Sequence, residues 1–184
     1  TKNDKLELPR GIRGSSPVVK FGENRMCITH KVDFFHHHGM KKDAFYYHRF
    51  MIWDKDWNLE KWTSDFNFLG SQIDPTTGHE YNIEFATGMI FHEGNIIIAF
   101  GYQDNGTAIW DDTIFRTERG GDGMECIIDY SDDDYMYASL YYGNIARSTN
   151  NGYSFGGFAA NNTNGITESG AWVTPYILDK DYPN

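Results

Sequence analysis

Residues 83–104 decide the fold, and they read IEFATGMIFHEGNIIIAFGYQD. Two apolar runs, Phe85–Phe91 and Ile96–Phe100, flank the short segment Glu93–Asn95. Gly94 within that segment can adopt the positive φ that a tight hairpin turn requires. Both runs are more continuously apolar than alternating, which predicts strands that are covered on both faces. The stretch is therefore predicted to be a buried β-hairpin.

Composition extends this prediction to the whole chain of 184 residues, of which 16% are aromatic and 19 are glycine. That profile favours strands and turns, and no segment has the sustained apolar period of a helix. The length suits one domain with a real core. The net charge of −10 argues against nucleic acid as a partner, because phosphates would be repelled. No apolar run approaches the ~20 residues of a membrane span.

Strand-like runs continue on both sides of the hairpin, and turn residues separate them. Residues 1–15 are predicted to be a polar arm, and 16–184 one β domain. Within it, groups of antiparallel strands recur at about 40 to 50 residues, which is the spacing of propeller blades. The prediction is an all-β, β-propeller-like fold of four-stranded antiparallel meander blades, about three blades plus one strand and possibly incomplete. These groups are 16–70, 83–118, 124–158 and the start of a further one, 171–178.

The turn at Ser148–Phe155 supports this fold. It resembles the Asp box of sialidase-like and sortilin-like propellers, with Asn150 in the place of the usual Asp. We expect the Asn150 side chain to cap backbone N–H groups of the turn. Gly152 can take the left-handed conformation, and Phe155 can pack the turn into its sheet. In those families the box marks the fold and lies away from catalytic centres.

Two resemblances meet in the chain. An ordered series of segments carries the first: Arg13–Pro17, Thr29–Val32, Tyr46–Phe50, Glu84–Gly88 and Ala99–Asp104. This series resembles the five-bladed propeller of glycoside-phosphorylase-like proteins (family 130 and relatives) and of modules attached to bacterial glycosyltransferases. From Gly120 to the end, the chain resembles the repeat propellers of secreted bacterial sortilin-like proteins. These resemblances imply glycan chemistry and a secreted or extracellular location.

Carboxylates at the two ends of the central hairpin are the candidates for catalysis. Glycoside cleavage needs a carboxyl group of raised pKa as general acid, and Glu84 and Asp104 could supply it. They could equally be solvated strand ends. Cationic, imidazole and aromatic side chains could contact the sugar, although aromatic rings also fill sheet packing. The candidate substrate-binding residues are Arg13, His30, Tyr47, His48, Arg49 and Tyr102.

No cofactor and no metal site are predicted. The sequence has no phosphate-cradling glycine loop, nucleophile elbow or zinc pattern. The run His36–His38 is interpreted as an exposed loop over 33–43, because adjacent histidines on an extended chain point to opposite sides. Cys27 and Cys126 lie in apolar runs and are expected to be buried free thiols.

Three functions remain open. The first is a carbohydrate (glycan)-binding module, and the alternative is a structural or interaction scaffold of a secreted or appendage assembly. The third is a glycoside hydrolase or phosphorylase that uses Glu84 or Asp104. A propeller site draws residues from nearly all blades, and three blades and a fraction cannot close a ring. Three alternatives follow: the chain is part of a longer one, its sheet edges pair with another copy, or the fold is not a closed propeller.

Overall fold

A computed structural model describes residues 8–36, 42–68, 72–73, 80–81, 84–102, 106–111 and 115–182. These residues form antiparallel β-sheets, joined by turns and one 3-10 turn at Tyr141–Gly143. The described part of the chain contains no α-helix. The predicted all-β fold of antiparallel meanders is therefore confirmed. The chain divides into two compact units, residues 1–85 and 86–184.

The first unit is built on one long hairpin of two strands, β3 (Asn24–His36) and β4 (Lys42–Trp53). Two short strands, β1 (Arg13–Gly14) and β2 (Val19–Phe21), both pair with β3, which differs from the predicted simple succession of strands. The reason is length, because the thirteen residues of β3 leave room for two short strands end to end along one edge. The remaining strands are β5 (Leu59–Trp62), which pairs with β4, and the separate pair β6 (Gln72–Ile73) and β7 (Glu80–Tyr81).

Two local predictions in this unit were wrong. The predicted loop over 33–43 is shorter, because the β3–β4 ladder continues to the pair His36 and Lys42. His37 and His38 lie outside the described residues. The predicted arm over 1–15 also contains β1, whose Arg13 pairs with His30.

The second unit contains two four-stranded meanders. The strands are β8 Ala86–His92, β9 Asn95–Tyr102, β10 Gly106–Trp110, β11 Phe115–Arg119, β12 Gly123–Ile128, β13 Tyr135–Leu140, β14 Asn144–Thr149 and β15 Gly156–Ala159. The first sheet has the order β11-β10-β9-β8, and the second has the order β12-β13-β14-β15. The predicted hairpin is present as β8 and β9, with Glu93 and Gly94 both at positive φ in the turn.

The two sheets of the second unit meet closely where β12 crosses β9. A Cβ at Gly101 would lie 1.7 Å from the Met124 carbonyl oxygen, so only glycine allows this approach. Cys126 belongs to the buried core cluster of this unit, and Phe155 packs against that cluster. Both cysteines are buried free thiols as predicted, and burial raises the pKa of each to about 11. They therefore stay protonated at neutral pH.

Residues 171–178 do not form the predicted strand. Pro175 has no N–H to donate to a ladder, and the described residues offer this segment no partner strand. Side chains hold it instead. The Tyr176 hydroxyl donates to the Glu125 carbonyl oxygen at 2.8 Å, and the Thr174 hydroxyl donates to the Ala171 carbonyl oxygen at 2.9 Å.

Candidate functional site

Five of the predicted site residues lie on the sheet of the first unit, but on two different faces. The ladder pairs His30 with His48, and β1 pairs Arg13 with His30. Directly paired residues share a face, whereas consecutive residues of a strand alternate. Arg13, His30 and His48 therefore share one face, and Tyr47 and Arg49 belong to the other. The structure does not bring these five residues together in one site.

On the face of the sheet that carries His30 and His48, both histidines are buried in the interior of the first unit. The His48 side chain is fully buried and the Glu84 side chain is 1% exposed, with 3.6 Å between His48 Nδ1 and Glu84 Oε2. The Phe68 N–H donates to the same Glu84 oxygen at 2.8 Å. The ring of Phe68 meets the His48 ring edge-on at a centroid distance of 5.0 Å. Glu84 thus joins the 66–68 segment to the sheet.

Burial keeps both histidines neutral. Desolvation lowers the pKa of His48 to about 3, and the nearby His30 adds to this effect. Desolvation also lowers the pKa of His30, followed by the charge of Arg13, while a hydrogen bond to the Gly14 backbone opposes them. The contact between His48 and Glu84 is therefore not an ion pair at neutral pH, although the distance alone would allow one. Desolvation outweighs the nearby carboxylate, because a contact of 3.6 Å is too long for a strong hydrogen bond.

This burial bears on the catalytic hypothesis. A general acid must reach the glycosidic oxygen of its substrate, directly or through one water. Glu84 instead contacts protein groups on the inside of the first unit. Its geometry matches a structural role. The second candidate acid, Asp104, lies outside the described residues.

Around Tyr47 and Arg49, the opposite face of the same sheet carries polar side chains that are already paired. Arg49 donates from Nε and Nη2 to Asp65 Oδ1, at 2.9 and 2.5 Å. The Lys31 ammonium lies 5.7 Å from the centre of the Tyr47 ring and forms an ion pair with Asp33 at 2.7 Å. Arg49 and Tyr47 are thus engaged by neighbouring side chains.

The last predicted residue, Tyr102, belongs to the second unit. It lies at the end of β9, is buried, and stacks on Phe100 with a centroid distance of 5.8 Å. Its ring therefore packs in the interior of that unit, as the alternative interpretation of the aromatic residues expects.

Sequence reasoning missed a groove in the second unit, which we call the Tyr153 groove. It lies where residues that follow β8, β10, β12 and β14 come together, and its volume is about 370 Å³. Carboxylates, amides and one exposed ring line it. The lining residues are His92, Glu93, Asn95, Ile97, Asp111, Asp133, Asn151 and Tyr153.

The turn between β14 and β15 fixes the position of Tyr153. The buried Ser148 hydroxyl accepts the N–H of Asn150 at 3.2 Å and the N–H of Gly152 at 2.9 Å. Asn150 Oδ1 accepts the N–H of Ser154 at 3.0 Å, as the sequence predicts. Gly152 adopts φ 73° and packs under the turn. This network leaves the Tyr153 side chain outside, 61% exposed.

Arg116 anchors the same ring from one side. Its guanidinium lies 4.1 Å from the Tyr153 ring centre. The guanidinium is held in turn by Asp111 Oδ2 at 2.6 Å and by the Asn151 carbonyl oxygen at 3.1 Å. Asp133 receives a hydrogen bond from Asn151 Nδ2 at 3.2 Å. The groove therefore combines a fixed aromatic ring with polar groups whose positions are also fixed.

Within the described residues, no cluster of three or more His, Cys, Asp and Glu side chains could hold a metal ion. The same residues include no helix of the length and hydropathy that crossing a membrane would take.

Comparisons with family models, with curated proteins and with solved structures find no match to this chain. The propeller resemblances therefore stay predictions, and the case for a function rests on geometry.

Proposed function

We propose that this protein is a carbohydrate-binding module and that its second unit binds a saccharide in the Tyr153 groove. The observation that carries the proposal is the Tyr153 ring, which is 61% exposed and fixed among carboxylates and amides. A pyranose has an apolar C–H face that packs on an aromatic ring, and hydroxyls that need directional partners. The groove offers both kinds of contact side by side.

The polar groups of the groove suit hydroxyls. Asp133 and Glu93 supply carboxylate oxygens, which accept hydrogen bonds, while Asn95 and Asn151 carry amides that both donate and accept. The volume of about 370 Å³ falls within the ~300–1,000 Å³ of typical ligand sites. One or two sugar rings at the end of a chain fit this description.

Charge narrows the class of sugar. Three carboxylates (Glu93, Asp111 and Asp133) line the groove. Arg116 forms an ion pair with Asp111, and the His92 ring lies 3.8 Å from the Glu93 carboxylate and 3.7 Å from the Asp133 carboxylate. A sugar that carries a carboxylate or sulfate would meet like charges in a confined space. The ligand is therefore a neutral saccharide.

Titration calorimetry with neutral oligosaccharides of glucose, mannose and galactose tests this proposal. In Tyr153→Ala the affinity for the bound sugar should fall about tenfold or more, because the stacking surface is lost. Tyr182→Ala is the matched control, since Tyr182 is an 82% exposed tyrosine of the same unit outside the groove. Equal affinity in wild type and Tyr153→Ala, or no binding of any neutral saccharide, contradicts the proposal.

A further inference from the structure

The first unit carries a second exposed aromatic ring on a turn, between β4 and β5. Asp54 Oδ1 accepts the N–H groups of Asp56 and Asn58 at 2.9 and 2.8 Å. The Asn58 side-chain amide donates to the other Asp54 oxygen at 2.9 Å. Trp57 lies between them at φ 65° and is 58% exposed. A bulky residue rarely adopts positive φ, so the turn holds this indole outside against its backbone preference.

Trp57 forms one wall of a groove that we call the Trp57 groove, with a volume of about 270 Å³. The Arg25 guanidinium lies 4.7 Å from the ring centre and donates from Nη1 to the Asp54 carbonyl oxygen at 3.0 Å. Arg25 thus ties the groove to the turn. The lining residues are Val18, Val19, Lys20, Glu23, Asn24, Arg25 and Trp57.

Two cations face each other in this groove, whose lining also includes one carboxylate, Glu23. Lys20 on β2 and Arg25 on β3 are directly opposite in the ladder, so their side chains share one face. Like charges in this position destabilise a sheet. In the part of the chain that the structure describes, neither side chain forms an ion pair with a carboxylate. The whole protein has a net charge of −10, so this pair of neighbouring cations is unusual in it. A bound anion would reduce the repulsion between the two side chains.

We propose that the Trp57 groove is a separate binding site for an anionic saccharide. A sugar ring packs on the Trp57 indole, and a carboxylate or sulfate on that ring accepts hydrogen bonds from Lys20 and Arg25. Binding at this site needs both the aromatic ring and the cations. An inorganic anion can contact only the cations and should therefore bind more weakly than the anionic sugar. This inference rests on the proposed function for its class of ligand, but it uses none of the residues of the Tyr153 groove.

Calorimetric titration of the full chain tests this site with four probes. They are an oligogalacturonate, a sulfated galacto-oligosaccharide, a neutral galacto-oligosaccharide of the same length, and sodium sulfate alone. We expect one of the two anionic oligosaccharides to bind, and its affinity should fall about tenfold in Trp57→Ala and in Lys20→Gln. Binding should also weaken as the salt concentration rises from about 50 to about 500 mM.

Matched controls separate this site from general charge effects. Trp172→Ala removes another exposed indole, and Lys180→Gln removes another exposed cation, both in the second unit. Neither should change the affinity for the anionic sugar. Lys20→Gln removes a surface charge only, so it keeps the test valid if Trp57→Ala unfolds the first unit. The inference fails if Lys20→Gln binds like wild type, if sodium sulfate binds as tightly as the sulfated sugar, or if no anionic sugar binds.

The two proposals fail in different ways. If Tyr153→Ala loses the neutral sugar and keeps the anionic one, both sites stand. If neutral sugars do not bind but the anionic sugar depends on Trp57 and Lys20, the Tyr153 groove is wrong and the Trp57 groove stands. If the anionic sugar binds but depends on Tyr153 instead, the Trp57 groove is wrong.

Discussion

The turn at residues 54–58 of the first unit and the turn at residues 150–154 of the second are built alike. In each, the first side chain accepts the N–H of the residue four positions on, at 2.8 Å for Asp54 and 3.0 Å for Asn150. In each, the carbonyl of that first residue accepts the N–H of an aromatic residue three positions on, Trp57 or Tyr153. The same local hydrogen bonds therefore expose one ring in both units.

The surroundings of the two rings differ in charge. An arginine covers each ring, at 4.7 Å for Trp57 and 4.1 Å for Tyr153. The arginine beside Tyr153 is neutralised by Asp111, and further carboxylates line that groove. Arg25 beside Trp57 faces Lys20 instead. The turn thus fixes the position of the aromatic ring. Under the two proposals, charged side chains near the ring determine whether the groove binds a neutral or an anionic sugar.

The largest expected effect comes from a substitution that disrupts the turn at residues 150–154 of the second unit. Gly152→Ala places a Cβ 2.9 Å from Ile109 Cγ1 and 3.0 Å from Met136 Sδ, at φ 73°. Overpacking and backbone strain should together lower the free energy of unfolding by about 3 kcal/mol. Gly157→Ala is the control, because a Cβ there meets no atom within 4 Å. Urea unfolding measures both variants, and an equal loss in the two would mean that the turn is not packed as described.

A second effect distinguishes the first unit by its response to acid. The folded state holds His48 at a pKa of about 3, against 6.5 in the unfolded chain. Below pH 6.5 the unfolded state binds the additional proton, so stability falls as the pH falls and levels off near pH 3. Between pH 7 and pH 5 the loss should be about 2 kcal/mol from this group alone.

Urea unfolding of wild type and His48→Gln at the two pH values measures this loss. The variant should lose about 2 kcal/mol less than wild type between them. His92→Gln is the control, because His92 is half-exposed in the second unit. A pH dependence that is unchanged in His48→Gln would show that this histidine is not buried in its neutral form.

The smallest expected effect comes from exchanging the first residues of the two turns, Asp54 and Asn150. Hydrogen bonds from Asn58 and Asp56 lower the pKa of Asp54, so the stability it contributes is lost as the pH falls below its unfolded value of 3.8. Asp54→Asn should remove this acid sensitivity, and Asn150→Asp should introduce it. Each exchange should leave the stability at pH 7 close to that of wild type, because both side chains accept the same backbone hydrogen bonds. Circular dichroism monitors the unfolding of both variants during acid titration. The prediction is wrong if either variant unfolds with the same pH profile as wild type.

Local patterns predicted much of the fold. The hairpin of β8 and β9 follows from two apolar runs around Gly94, because turn and strands are adjacent in sequence. The pairing of both β1 and β2 with β3 was not predictable in this way, because it depends on how far the β3–β4 ladder extends. The strand predicted over 171–178 failed for a related reason, since a strand pattern does not supply a partner.

The predicted site failed on orientation and burial. Tyr47, His48 and Arg49 are consecutive in β4, so strand alternation alone separates His48 from the other two. The burial of Glu84 could not be foreseen, because it depends on the Phe68 N–H reaching it from another segment. The signal for Tyr153 was present in the Ser148–Phe155 turn, whose pattern was interpreted only as a mark of the fold.

The most direct test of the turn-borne ring as a sugar platform is NMR of the chain with ¹³C-labelled tyrosine rings. Addition of the neutral oligosaccharide that binds should shift the Tyr153 ring resonances saturably, with the same dissociation constant as the calorimetric titration. The Tyr182 resonances should not move. Saturable binding that leaves the Tyr153 resonances in place would contradict the account.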